Sequence, residues 1–113
     1  MTGVIESAAV VSGPIHPGRI LREEFLEPYG LSANRLARAI GVPANRITAI
    51  LNGTRGITGE TAMLLGAAFG MTPEFWLNLQ KRYELDSAAD AVAPERLAGA
   101  EALFRDLRAS EGG

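Results

Sequence analysis

The sequence lacks the residues on which several common kinds of chemical site depend. Among its 113 residues there is no cysteine and only one histidine, His16. Without cysteine there is no disulfide framework, no thiol nucleophile and no cysteine-based zinc site, and such a chain fits a reducing cytoplasm. A single histidine cannot complete a metal site or a catalytic triad, so we expect His16 to cap a helix or play another structural part. The sequence therefore predicts neither an enzyme nor a cofactor or metal.

Long apolar runs and a leader pattern are also missing. No stretch approaches the roughly 20 apolar residues that cross a bilayer. Residues 1–14 contain Glu6 but no lysine or arginine, unlike a secretory signal. We therefore expect one soluble, cytoplasmic domain with no membrane contact.

Acidic residues are absent from the middle of the chain. The formal net charge is -2, yet residues 16–82 hold eight basic and five acidic residues, a net charge of +3, while the flanks carry -5. No Asp or Glu occurs between Glu27 and Glu60. The arginines of that window are Arg35, Arg38, Arg46 and Arg55. A near-neutral total thus conceals a basic centre of the kind that meets nucleic acid, although the same arginines could be no more than solubilising charge.

Short helices with recognisable ends fill this basic centre. Pro17 suits a first helical turn and Pro28 stops that helix. Ser32 is a good N-cap and Gly41 a good C-terminal residue for a second helix, and a third follows from about Pro43. Two helices this short, joined across so few residues, must cross steeply, which is the helix-turn-helix arrangement.

Further helices follow this pair. Thr58 and Gly70 bound a fourth helix and Thr72 opens a fifth, whereas no segment alternates as a strand would. We predict an all-α fold. Its parts are a flexible arm over residues 1–15, a five-helix DNA-binding domain over 16–86, a linker over 87–94 and an amphipathic helix over 95–109.

The third helix is predicted to enter a DNA major groove with its first residues. Asn45 is the expected base reader, since asparagine can pair with adenine N6 and N7, while Arg46 could read guanine or hold a phosphate. The residues predicted to face bases are Ala44, Asn45, Arg46, Thr48 and Ala49. The residues predicted to contact phosphates are Ser32, Asn34, Asn52, Thr54 and Arg55.

Three segments, taken in order, resemble one protein family. They are HPGRILREEFLEP, NRLARAIGVPANRITAILNGTRGIT and FGMTPEFWLNLQ. Over about residues 15–86 the chain resembles HigA-type antitoxins, whereas generic lambda-repressor-like helix-turn-helix proteins share only the middle segment. The resemblance implies a five-helix lambda-repressor-like domain, a homodimer that represses its own operon, and a HigB-like mRNA-cleaving toxin as partner. It places the recognition helix on about Pro43 to Leu51, and Thr54 stands where relatives often have lysine, so one phosphate contact is expected to be missing.

Protein-binding surfaces are expected outside the recognition helix. Phe75 and Leu79 are predicted to lie in the core, whereas Trp76 and Tyr83 suit either the core or an interface. The last helix, with an apolar stripe and acidic neighbours, is expected to contact a basic toxin, to stabilise a dimer, or to pack on its own domain. The interface candidates are Trp76, Tyr83, Leu97, Phe104 and Leu107.

Two other functions are compatible with the same residues. A stand-alone repressor without a toxin would share everything up to Gly59. An interaction module could keep the helix-turn-helix and have lost DNA binding. A neighbouring gene for a small basic protein would favour the antitoxin over the stand-alone repressor.

Overall fold

The structure is a computed structural model that describes residues 13–112, so the predicted arm lies almost wholly outside the described residues. Within this range the chain forms six α-helices and no strand, which confirms the all-α fold. Their bounds are α1 (Pro17–Ile20), α2 (Ala33–Ile40), α3 (Ala44–Leu51), α4 (Gly59–Phe69), α5 (Pro73–Ala91) and α6 (Pro94–Gly112). None of these six helices is long and apolar enough to cross a membrane.

The first helix changes its winding after one turn. It continues as a π-helical turn over Leu21–Leu26 and a 3-10 turn over Glu27–Tyr29. Pro28 lies in that last turn, and proline has no N–H and clashes with the carbonyl four residues back, so an α-helix cannot run through it. The sequence predicted the span of this segment but not its winding, since it indicated one regular helix from Pro17 to Glu27.

The predicted helix caps are the ones that the structure contains. The side chains of Ser32, Thr58 and Thr72 each accept a hydrogen bond from a backbone N–H in the first turn of the next helix. Gly41 and Gly70 end α2 and α4 in the left-handed conformation, at φ of 74° and 69°, which favours glycine. Ser32 and Gly41 thus bound α2, the first helix of the helix-turn-helix, whereas α3 begins after Pro43 without a side-chain cap.

One core joins α1 to α5. Its buried residues are Leu21, Leu26, Leu36, Ala37, Ile47, Ile50, Ile57, Ala62, Leu65 and Trp76. The Trp76 ring is fully buried, with its centroid 5.0 Å from that of Phe25 and 5.1 Å from that of Phe75. Phe75 and Leu79 pack against this core, as predicted. Of the two positions that the sequence allowed for Trp76, the interface is wrong, because neighbouring aromatic rings enclose it.

The segment predicted as a linker is mostly helical. α5 runs to Ala91, so only Val92 and Ala93 separate it from α6. Residues 87–91 are Ser-Ala-Ala-Asp-Ala, rich in the strongest helix former, which explains why the helix continues through them. Pro94 then restricts the residue before it to extended conformations and forces the break.

The last helix extends away from the domain. α4 packs closely on α5, and α2 on α3, whereas α6 makes no comparable packing with the other described helices. The Cα radius of gyration is 19.2 Å. A compact chain of this length has about 13 Å. Of the alternatives for the last helix, packing on its own domain is therefore not observed.

A glycine-to-alanine change tests the closest approach between α1 and α3. A Cβ on buried Gly18 would overlap the Ile50 carbonyl oxygen, and it would lie 3.1 Å from the Leu51 Cα. Gly18→Ala is therefore expected to push the helices apart and to lower the free energy of unfolding by about 1–3 kcal/mol. Urea unfolding followed by Trp76 fluorescence measures the change.

The matched control is Gly99→Ala. Gly99 lies in α6, and a Cβ there meets no atom within 4 Å. Unfolding of the domain is therefore expected to be unchanged. Equal stability of the two variants would contradict the packing described for Gly18.

Candidate nucleic-acid interface

α3 buries one face and presents the other to solvent. Ile47 and Ile50 are fully buried in the core. The opposite face, which we call the α3 face, carries Ala44, Asn45, Thr48 and Ala49, of which Ala49 is half-buried and the others exposed. Helical periodicity places these four positions on one side, so the structure brings together four of the five residues predicted to face bases.

The polar side chains of the α3 face differ in whether they are already hydrogen-bonded. The Thr48 hydroxyl donates to the backbone carbonyls of Ala44 and Asn45, at 3.4 and 3.2 Å. A hydroxyl engaged in this way leaves the Thr48 methyl group as the part that suits a thymine methyl. The Asn45 amide makes no hydrogen bond with any other described residue, and so it can pair with a base without first breaking a contact.

Arg46 points away from the α3 face. Its Nη1 donates to Oε1 of Glu60 at 3.2 Å, and the two side chains are 21% and 71% exposed. Glu60 lies in the first turn of α4, so this ion pair links the recognition helix to the next helix. An exposed pair of this kind contributes at most about 1 kcal/mol, so its main effect is to orient Arg46. A contact of Arg46 with a base or a phosphate would compete with this pair.

Three hydrogen bonds to the Ala49 carbonyl help to order the loop after α3. The Ala49 carbonyl accepts from the Thr54 hydroxyl at 3.1 Å and from the backbone N–H groups of Thr54 and Arg55 at 2.9 and 3.2 Å. Gly53 turns the chain with φ of 80°, which a side chain would strain. Asn52 and Arg55 are exposed on this ordered loop, and Arg55 forms no ion pair with the other described residues. Its guanidinium is therefore available to an anion.

The start of α2 offers backbone donors. The Ser32 hydroxyl accepts from the Arg35 N–H at 3.1 Å, and Asn34 is exposed beside it. The first N–H groups of a helix have no partner within the helix and carry the positive end of its dipole. This end suits a phosphate, with Ser32 acting chiefly as the cap that shapes it.

Two contacts that hold the loop could not be found from the sequence. Arg22 donates from Nη2 to the Leu51 carbonyl at 3.3 Å, and Gln80 accepts from the Ile57 N–H at 2.7 Å. The partners are 29 and 23 residues apart. Periodicity indicates which face of a helix a residue occupies, but it carries no signal for a hydrogen bond to a distant backbone group.

His16 joins the first helix to the same loop. Its Nδ1 accepts from the Gly18 N–H at 2.9 Å and caps α1, as predicted. Its ring meets that of Tyr83 edge-on, with centroids 4.8 Å apart, and it lies close to Gly53 in the loop. Burial lowers the pKa of His16 from its ordinary value of 6.5, and a hydrogen bond with the Arg55 backbone acts in the opposite direction. His16 is thus a structural contact between α1, α5 and the loop.

Known proteins share this arrangement. The helix-turn-helix family matches residues 21–77, a segment that contains the whole α3 face and the loop after it. Virulence-associated protein I of Dichelobacter nodosus is 51% identical over 74 residues, which cover 66% of this chain and 68% of the relative. Antitoxin HigA-1 of Vibrio cholerae serotype O1 is 44% identical over 72 residues, which cover 64% of this chain and 68% of the relative.

A solved structure agrees with these relatives. The Pseudomonas aeruginosa antitoxin HigA, solved with the higBA promoter, matches with a TM-score of 0.68 at 40% identity. The match covers 72% of this chain and 97% of the other, so it spans nearly the whole of that antitoxin.

Acidification is expected to weaken the fold through His16. Folding lowers the pKa of His16, so the unfolded chain binds the proton more tightly than the folded one. The stability that neutral His16 contributes is therefore present above the ordinary pKa of 6.5 and is lost as the pH falls through the lowered pKa. Urea unfolding at several pH values between about 7 and about 5 measures the loss.

His16→Asn is the matched control for this pH dependence. Asparagine also caps helices but does not titrate in this range. Wild type is expected to lose more stability on acidification than the variant does. Equal losses in the two proteins would show that His16 is not the responsible group.

Proposed function

This chain belongs to the helix-turn-helix family of HigA-type antitoxins, and from that premise we propose that it binds operator DNA as a dimer, represses its own operon and neutralises a cognate HigB-like toxin. The observation that carries the proposal is the α3 face, solvent-exposed in a window without acidic residues between Glu27 and Glu60. The DNA-bound Pseudomonas aeruginosa antitoxin HigA supports it. A site of this kind binds and positions macromolecules, and catalysis is not part of the proposal.

Base reading is proposed for the α3 face. The unengaged Asn45 amide is the group that can pair bidentately with adenine. The methyl groups of Ala44, Thr48 and Ala49 can contact thymine methyls, so an operator half-site containing A·T pairs fits this face. Arg46 is oriented by Glu60 at 3.2 Å in the free protein, so a contact of Arg46 with DNA would compete with that pair.

Phosphate contacts are proposed for two segments outside the α3 face. The first is the start of α2, where Ser32 and Asn34 lie beside the first N–H groups of the helix. The second is the loop with Asn52, Thr54 and Arg55, where Arg55 forms no ion pair with the other described residues. The Thr54 hydroxyl and backbone N–H both donate to the Ala49 carbonyl, so the main part of Thr54 is to order the loop that carries Asn52 and Arg55. These contacts set the register of the helix on the duplex, whereas the bases supply specificity.

Toxin binding is proposed for the acidic end of the chain. From Glu84 to Glu111 the sequence holds seven acidic and three basic residues, and most of these acidic side chains are exposed on the last turns of α5 and on α6. An mRNA-cleaving toxin presents a basic surface to its substrate, which an acidic surface complements. The protein thus separates a DNA-binding surface from a toxin-binding surface of opposite charge.

Alanine substitution on the α3 face tests the base reader. Asn45→Ala is expected to weaken operator binding by about 1–3 kcal/mol, because one bidentate base contact is lost. The binding of scrambled DNA should change little. Fluorescence anisotropy at fixed salt measures both affinities, and an unchanged operator curve would remove Asn45 from the reading role.

Two further variants serve as controls for Asn45→Ala. Asn78→Ala removes the same side chain from the exposed surface of α5 and should leave both affinities unchanged. Arg55→Ala should weaken operator and scrambled DNA alike and reduce the salt slope by about 1, as loss of a phosphate contact does.

Charge reversal at the acidic end tests toxin neutralisation. Asp90→Lys/Asp106→Lys replaces two exposed carboxylates of α5 and α6. We expect loss of growth rescue when the variant is co-expressed with the product of a neighbouring gene that encodes a small basic protein, and retained operator affinity. Glu24→Lys/Glu27→Lys, a matched reversal on the exposed surface of the domain, should still rescue growth.

Two outcomes of this experiment would contradict the proposal. Rescue by Asp90→Lys/Asp106→Lys would exclude the acidic end as the toxin surface. A neighbouring product that neither inhibits growth nor binds the wild-type chain would leave a stand-alone repressor.

A further inference from the structure

α6 exposes an apolar stripe that no other described part of the chain covers. Four large apolar side chains along it are each more than half exposed, in a helix that extends away from the domain. They are Leu97 at 51%, Leu103 at 62%, Phe104 at 62% and Leu107 at 53%. Exposure of this much apolar surface along one helix is a mark of a surface that binds another molecule.

The spacing of the stripe is that of a two-helix seam. Leu97, Ala100, Phe104 and Leu107 follow one another at intervals of three, four and three residues, the a and d positions of a heptad. Leu103 lies beside them at a g position and widens the stripe. Acidic Glu95 and Asp106 fall at f and c positions, away from the seam. Glu95 and Asp106 of the acidic surface proposed for the toxin thus lie on a different side of α6 from the apolar stripe.

The charged side chains that flank the seam favour a second copy of α6 as the partner and a parallel orientation of the two helices. Arg96 lies at a g position and Glu101 at the following e position. When two copies of α6 run parallel, each Arg96 lies opposite Glu101 of the second copy, which gives two attractive pairs by symmetry. When they run antiparallel with the stripe in register, the two Glu101 side chains face each other, and like charges repel. The sequence of α6 is therefore complementary to itself in the parallel direction.

We propose that α6 of this chain pairs in parallel with α6 of a second copy. The two-fold axis then runs along the seam, so both helix-turn-helix domains lie at the same end of the pair. Both recognition helices must lie at the same end to contact an operator with two half-sites. The pairing deepens the proposed function by naming the element that joins the two copies, and it rests on that function only for the need of a dimer.

The absence of cysteine provides a direct test of the pairing in the full chain. In Leu97→Cys the introduced thiol is the only one per chain, and a parallel seam brings the two thiols of a dimer together. Mild oxidation is expected to yield a disulfide-linked dimer on a non-reducing gel. Ala98→Cys, exposed on the next position and facing away from the seam, is expected to stay monomeric on the gel.

Two results of the cross-linking would overturn the pairing. The first is cross-linking of Leu97→Cys no stronger than that of Ala98→Cys. The second is cross-linking only in a mixture of Leu97→Cys and Leu107→Cys chains, which would show an antiparallel arrangement.

Sedimentation equilibrium without DNA gives a second measure of the pairing. Leu97→Asp/Phe104→Asp places charges in the seam and is expected to raise the dimer Kd by about tenfold or more. Ala98→Asp/Ala109→Asp adds the same charge outside the seam and should leave the Kd unchanged, with circular dichroism checking that α6 remains helical. An unchanged Kd in the seam variant would overturn the pairing.

The outcomes separate this inference from the proposed function. A chain that cross-links through Leu97→Cys but binds no operator supports the pairing and contradicts the proposed function. A chain that binds a DNA half-site but shows neither the cross-link nor the change in Kd contradicts the pairing alone.

Discussion

The close approach of α1 to α3 is the constraint on which the rest of the structure depends. The backbone of α1 lies against the end of α3 at Gly18, where no side chain fits beside the Ile50 carbonyl. Because α1 is this close, Arg22 reaches the Leu51 carbonyl and His16 reaches the loop that follows α3. The recognition helix is therefore fixed from behind by backbone contact and from its end by side-chain bonds. A DNA-reading helix needs this support, since base contacts depend on placing side chains to within a fraction of an ångström.

The distribution of charge around α3 also depends on a contact with a neighbouring helix. Arg46 could have been one more charge on the DNA-facing surface, but Glu60 holds it against α4 at 3.2 Å. The α3 face itself is consequently polar and methyl-rich, and the charge lies at its margin on Arg55. In the proposed binding mode, affinity would come from Arg55 and the other phosphate contacts and discrimination from the α3 face, which is the usual division between phosphate and base contacts. The net charge of -2 concealed this arrangement, because the acidic end of the chain outweighs the basic domain.

Local signals in the sequence predicted most of the fold. Capping residues such as Ser32, Thr58 and Gly41 act within one turn of a helix, so they mark helix ends without reference to distant contacts. The polar positions of α3 were predictable for the same reason. Three features could not be predicted: the Arg46–Glu60 pair, the hydrogen bond from Arg22 to the Leu51 carbonyl, and the helical conformation of residues 87–91. The first two join residues far apart in the chain, and in the third Asp and Pro suggested a linker, although alanine carries the helix through to Ala91.

The short break between α5 and α6 matters for how two domains could read one operator. A flexible linker over residues 87–94 would let two tethered domains sample many separations, so few of them would match half-sites about 34 Å apart. Instead α5 is continuous to Ala91, and only Val92 and Ala93 intervene before α6. With one rigid helix on each side of two residues, the direction of α6 limits where the helix-turn-helix can lie. Pairing along α6, as proposed, would therefore constrain the spacing of the two recognition helices and so link dimerisation to operator geometry.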